Sequence, residues 1–155
     1  MASFDAWFWI WVVEVACCCI LAAWKGGSTE RIGAAIILVG WLLSELLESH
    51  KGKGPGPGVV IVDLAGLVAI GILSAKTRRL WTLFAFACQL NGVAAHFAEL
   101  FTRFGLFSYI TDLGIWSGDG LVICVIAGIV DHRRRKKRIA RMTAAGMVLP
   151  PIGRR

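Results

Sequence analysis

Residues 59–75 read VVIVDLAGLVAIGILSA, an apolar run that contains one charged residue, Asp63. A helix that crosses the hydrocarbon core of a bilayer needs about 20 apolar residues, with a range near 17–25. Because backbone polar groups find no water in hydrocarbon, such a run must satisfy its hydrogen bonds internally, as a helix does. The stretch therefore predicts a membrane-spanning helix and an all-α fold.

Apolar runs on both sides of this stretch extend the prediction to a helical membrane bundle. Together they predict five spans, at residues 6–24, 32–49, 59–75, 80–101 and 106–130. The fifth is the least regular, because Gly114 and the segment 117–120 interrupt it. Two separate elements in this region, and hence four full spans, stay an alternative. The connectors are short, so we expect antiparallel neighbours in a compact bundle.

The composition agrees with a membrane protein. Hydrophobic residues make up 57% of the 155 residues and charged residues 17%, whereas soluble domains are about 45–50% apolar and about 25% charged. This balance excludes a disordered chain and argues against a soluble enzyme. The sequence contains no GxSxG, HExxH, P-loop or GxGxxG motif, so we expect a protein that is not an enzyme.

Positive charge is concentrated at the C-terminus. Residues 131–155 carry nine Lys and Arg against Asp131, a net charge of +8, and the first 130 residues carry −1. Lys and Arg favour the cytoplasmic side of a membrane. Of the 17 Lys and Arg residues, 14 lie in segments 25–31, 76–79 and 131–155. The segments on the other side of the membrane hold the remaining 3. This positive-inside pattern predicts an external N-terminus, a bundle at 1–130 and a cytoplasmic tail at 131–155.

The basic cluster directly after the last span is predicted to anchor the topology and to bind anionic lipid headgroups, each basic residue contributing about 1 kcal/mol near the surface. Its members are Arg133, Arg134, Arg135, Lys136, Lys137 and Arg138. Nucleic acid would be attracted by the same charge, but no aromatic residues alternate with the basic ones. We therefore expect no nucleic-acid partner.

Ionisable residues inside the spans are the best candidates for a functional site, because charge in hydrocarbon is costly and usually faces the bundle interior or water. Glu45 and Glu48 share one face of the second span, and His96 and Glu99 share one face of the fourth. Both pairs lie at matching depth in the outer half. Carboxylates with imidazole suit a proton relay or a divalent metal. The structural alternative is that these residues end their helices in the headgroup zone or join two helices.

Four further polar residues are secondary candidates: Glu14, Asp63, Gln89 and Asp119. Glu14 lies near mid-membrane without a partner on its own helix, so we expect its partner on another span or another subunit. Asp63 is expected to cap its helix at the interface. The five cysteines all fall inside spans and are expected to serve as small apolar fillers rather than as a disulfide framework.

Three hypotheses about function follow from this pattern. The first is an accessory or assembly subunit of a larger complex, or a homo-oligomer. The second is a proton- or cation-handling membrane protein that uses the carboxylate and histidine cluster. The third is a haem- or metal-binding redox protein in which His96 is an axial ligand. The sequence favours no particular cofactor.

Three short segments carry a resemblance to a known group of proteins: Glu30-Arg-Ile-Gly-Ala-Ala35, the pair Gln89 and His96, and His132-Arg-Arg-Arg135. Over roughly residues 25–138, this pattern resembles small polytopic inner-membrane proteins of Gram-negative bacteria that have no assigned activity. The resemblance implies a multi-pass protein of the bacterial inner membrane.

Overall fold

The computed structural model describes residues 2–47, 56–101 and 114–145, and the side chains within them other than those of 2–7 and 98–101. The described chain is helical and contains no strand. The helices are α1 (Ala2–Lys25), α2 (Ser28–Leu47), α3 (Pro57–Thr77), α4 (Leu80–Phe101), a π-helix (Gly114–Gly120) and α5 (Leu121–Ala144). The predicted all-α fold is confirmed for this part of the chain.

Three helical segments are long and apolar enough to cross a membrane: Phe8–Lys25, Pro57–Thr77 and Gly114–Ala144. The other two long helices coincide closely with predicted spans but are more polar. Glu30, Arg31 and Glu45 lie on α2, and Gln89, Asn91 and His96 lie on α4. A polar residue in a span needs a partner inside the bundle, so these two helices are where interior polar contacts are expected.

The outer surface of the bundle is strongly apolar. Large hydrophobic side chains such as Trp24, Leu46, Ile61 and Phe84 are exposed, and in the first two membrane-length segments only 17% of the residues are buried. A water-soluble protein seldom exposes such a continuous apolar surface. Lipid is the solvent that this surface fits, as the composition predicts.

The five α-helices form a closed ring. Within the described residues each helix packs on the next one in the chain, from α1 to α5. The last helix, α5, also packs on α1 and α2. Gly26 and Gly27 separate α1 from α2, and Pro57 stands in the first turn of α3, where its missing N–H costs nothing. Arg78 ends α3 in the left-handed conformation (φ 49°), which turns the chain directly into α4.

The predicted weak point in the fifth span is where the π-helix lies. It covers Gly114–Gly120, the segment whose glycines interrupt the apolar run. The lead-in predicted at 106–113 is outside the described residues. Beyond the π-helix, α5 continues past the predicted boundary at residue 130 to Ala144. The first 14 residues of the predicted tail are therefore a helical extension of the span.

Two tryptophans fill notches made by glycines. Trp81 of α4 lies between Gly33 and Gly128, where an added Cβ would stand 2.9 Å and 2.7 Å from its ring atoms. Trp11 of α1 lies against Gly114 and Gly118, and a Cβ on Gly118 would overlap its ring. Small residues allow such close packing in membrane bundles. The Gly114-x-x-x-Gly118 motif is thus occupied from within the chain.

Candidate functional site

An aspartate and a histidine meet between α3 and α4. Asp63 lies six residues after Pro57, and His96 lies five residues before Phe101. Because α3 and α4 are antiparallel neighbours, the two residues come to a similar depth, about 7–9 Å from the same end of the bundle. His96 Nε2 and Asp63 Oδ2 are 2.7 Å apart. An ionised carboxylate can only accept, so the ring N–H donates.

Gln89 completes the polar contact. Its Nε2 donates to the Asp63 backbone carbonyl oxygen at 3.1 Å and to Oδ1 at 3.2 Å. Both carboxylate oxygens of Asp63 are therefore engaged, one by Gln89 and one by His96. The side chain of His96 is 3% exposed and that of Asp63 is 16% exposed. The pair is thus nearly enclosed, and the carboxylate retains a narrow contact with the surroundings.

The structure describes the side chains of two of the four primary candidates, Glu45 and His96. Glu45 is exposed on α2. His96 instead contacts α3. Glu48 lies outside the described residues, as does the side chain of Glu99. One primary candidate, His96, and two secondary candidates, Asp63 and Gln89, form the observed site. The expected cap at Asp63 is corrected: its carboxylate bonds to side chains of α4.

The other two secondary candidates also meet. Glu14 of α1 and Asp119 of the π-helix lie close enough to interact electrostatically. The partner expected for Glu14 on another span or another subunit therefore lies in this chain, on the π-helix.

A buried ion pair at the opposite end of the bundle was not among the predicted site residues. Glu30, in the first turn of α2, is fully buried and pairs with Arg79 in the connection between α3 and α4. Its second oxygen accepts the Gly27 N–H at 2.9 Å. This second bond is the glutamate half of a capping box, which the position of Glu30 three residues after Gly27 could have indicated. His132 of α5 lies beside Gly27.

The cysteines are free thiols within the described chain. Cys18 and Cys124 are buried, Cys19 and Cys88 are half-buried, and Cys17 is exposed. Cys88 of α4 and Cys124 of α5 lie close together. The described residues contain no group of three His, Cys, Asp or Glu that could hold a metal ion.

Comparison with known proteins adds no relative to this picture. No protein family, curated protein or solved structure matches the chain. The resemblance to bacterial inner-membrane proteins therefore stays a prediction.

Proposed function

We propose that this chain is a multi-pass membrane protein that passes protons, with Asp63 and His96 carrying the proton through the outer half of the bundle. The observation that supports the proposal is their 2.7 Å hydrogen bond between two helices. Imidazole gains and loses a proton near neutral pH. An ionisable pair within a membrane bundle is expensive to maintain and most often marks an ion or proton pathway.

Gln89 has a defined part in this proposal. Its amide holds the Asp63 carboxylate through Oδ1 and so leaves Oδ2 aimed at His96. The site then has an acceptor whose direction is fixed and an imidazole that can exchange a proton with it. Because Asp63 is slightly exposed while His96 is almost enclosed, the proton would enter through the carboxylate.

The other half of the bundle is closed. Trp81 fills the space between α2 and α5, and buried side chains such as Val125 and Ile129 pack around it. Beyond this apolar layer lies the Glu30–Arg79 ion pair. A proton that has reached His96 cannot cross tightly packed apolar side chains, so the described conformation is one that is closed toward the Glu30 end.

The proposal includes the membrane arrangement predicted from the sequence. The helices α1 to α4 form four spans, and the π-helix with the first half of α5 forms the fifth. The N-terminus is outside and the basic end of α5 lies in the cytoplasm of a bacterial cell, against anionic lipid headgroups. The concentration of Lys and Arg at 131–155 supports this orientation. The Asp63–His96 site then faces the outside.

Proton flux in reconstituted vesicles tests the function. The purified full chain is placed in phospholipid vesicles that contain a pH-sensitive dye, and a potassium diffusion potential drives proton entry. Wild-type protein is expected to accelerate acidification. Asp63→Asn and His96→Gln are each expected to slow the flux by about 100-fold, because a positioned acid–base group contributes about that much.

Glu45→Gln is the matched control, since it neutralises an exposed carboxylate on α2 outside the site. Its flux is expected to equal that of the wild type. Wild-type flux no higher than that of empty vesicles would overturn the proposal, and so would full flux in both site variants. The absorbance spectrum and the mass of the purified complex test the haem and accessory-subunit hypotheses in the same preparation.

A further inference from the structure

A serine hydroxyl enters the face of α4 that carries the candidate site. Ser117 of the π-helix packs against Gly92, and its Oγ occupies the place that a Cβ of Gly92 would take. This oxygen is buried and has no hydrogen-bond partner among the described residues. A buried hydroxyl without a partner carries a free-energy cost, so its position needs a reason.

The position of Gly92 defines where this hydroxyl lies. Gly92 is three residues after Gln89 and four residues before His96, and such residues are neighbours on one helix face. Their Cβ atoms are about 5–6 Å apart. Because the Ser117 hydroxyl stands at the Cβ position of Gly92, it lies between the two side chains that hold Asp63.

We infer that the Ser117 hydroxyl is the next relay group on the proton path and takes the proton onward from the Asp63–His96 pair. Gly92, against which Ser117 packs, precedes His96 by four residues on α4. The Ser117 hydroxyl therefore lies about 6 Å deeper in the bundle than His96. A hydroxyl donates and accepts at once, so it can receive a proton through a bridging water on one side and release one on the other. This inference rests on the proposed function and names the next group along its path.

The π-helix accounts for how Ser117 reaches this place. Segments of this kind are rare and are frequent at functional sites. Here the segment presents Ser117 to α4, while Gly118 faces Trp11 and Asp119 lies near Glu14 on α1. Gly92 has the complementary part, since any side chain there would exclude the hydroxyl. Two contacts that depend on glycine, Gly92 with Ser117 and Gly118 with Trp11, thus hold the Ser117 hydroxyl against the site.

The test compares Ser117→Ala with Ser44→Ala in the vesicle flux measurement. Ser44 is half-buried on α2, away from the site, and serves as the matched control. Ser117→Ala removes a single oxygen atom and adds none, so the variant is expected to fold as the wild type does. We expect it to slow flux about tenfold, because the path loses a group that relays the proton. Ser44→Ala is expected to leave flux unchanged.

A second measurement separates a role in transfer from a structural one. In the Ser117→Ala variant, His96 is expected to exchange its proton with the outside as in the wild type, because the pair itself is intact. Slowed flux with normal proton exchange at His96 supports the inference. Wild-type flux in Ser117→Ala overturns it and leaves the proposed function standing. Absence of flux in the wild-type protein overturns the proposed function and this inference together.

Discussion

Arg79→Gln is expected to destabilise the bundle by about 3–5 kcal/mol, because it removes one partner of a buried ion pair. Glu30 is fully buried, and within the described ranges its carboxylate would keep only the hydrogen bond from the Gly27 N–H. Uncompensated charge in an apolar interior is strongly unfavourable. The measurement is the free energy of unfolding in bicelles.

Arg78→Gln is the matched control for this prediction. Arg78 precedes Arg79 in the same connection but is exposed. Its replacement is expected to change stability by about 0.5 kcal/mol or less, as surface substitutions usually do. The double variant Glu30→Gln/Arg79→Gln is expected to recover much of the lost stability, because no charge remains unpaired. If Arg79→Gln and Arg78→Gln proved equally stable, the Glu30–Arg79 contact would not be what holds the bundle together.

Trp81→Ala is expected to cost about 3–5 kcal/mol, the range for removing a large aromatic side chain from a packed interior. Trp81 is 7% exposed and fills the space between Gly33 and Gly128. Trp81→Phe is expected to cost less, because it keeps a ring there and the indole N–H has no hydrogen-bond partner among the described residues. Unfolding of the reconstituted variants measures both changes.

Two further substitutions show whether the fit around Trp81 matters. Gly128→Ala places a Cβ 2.7 Å from the ring and is expected to destabilise by about 1–3 kcal/mol. Trp24→Ala is the control for loss of an exposed tryptophan: it gives up a contact with Lys25 and is expected to cost about 1 kcal/mol or less. If Trp81→Ala proved as mild as Trp24→Ala, the glycine notches would not be a packing determinant.

The sequence predicted the helices better than it predicted their partners. The runs of apolar residues give the helix positions, since length and hydropathy are properties of each segment alone. The π-helix lies where Gly114 and residues 117–120 interrupt the fifth run. Which face of a helix turns inward is harder to predict, because lipid tails and the bundle interior are both apolar.

This ambiguity explains the difference between the predicted and the observed site. Glu45 and Glu48 share a face, but the part of α2 that carries Glu45 is exposed. Asp63 and His96 carried a usable signal, because a short connection makes α3 and α4 adjacent and both residues lie close to the same end. The Glu30–Arg79 pair joins residues 49 positions apart in the chain, which no spacing rule relates.

Proton exchange at His96 tests the central claim most directly. The full chain with ¹⁵N-labelled histidine is placed in lipid vesicles, and the His96 signal is identified by its loss in His96→Gln. If Asp63 and His96 exchange protons with the outside, the ring N–H of His96 should exchange for deuterium when the outer solution is replaced by D₂O. Asp63→Asn should slow that exchange. A His96 ring N–H that keeps its proton in D₂O would contradict the account.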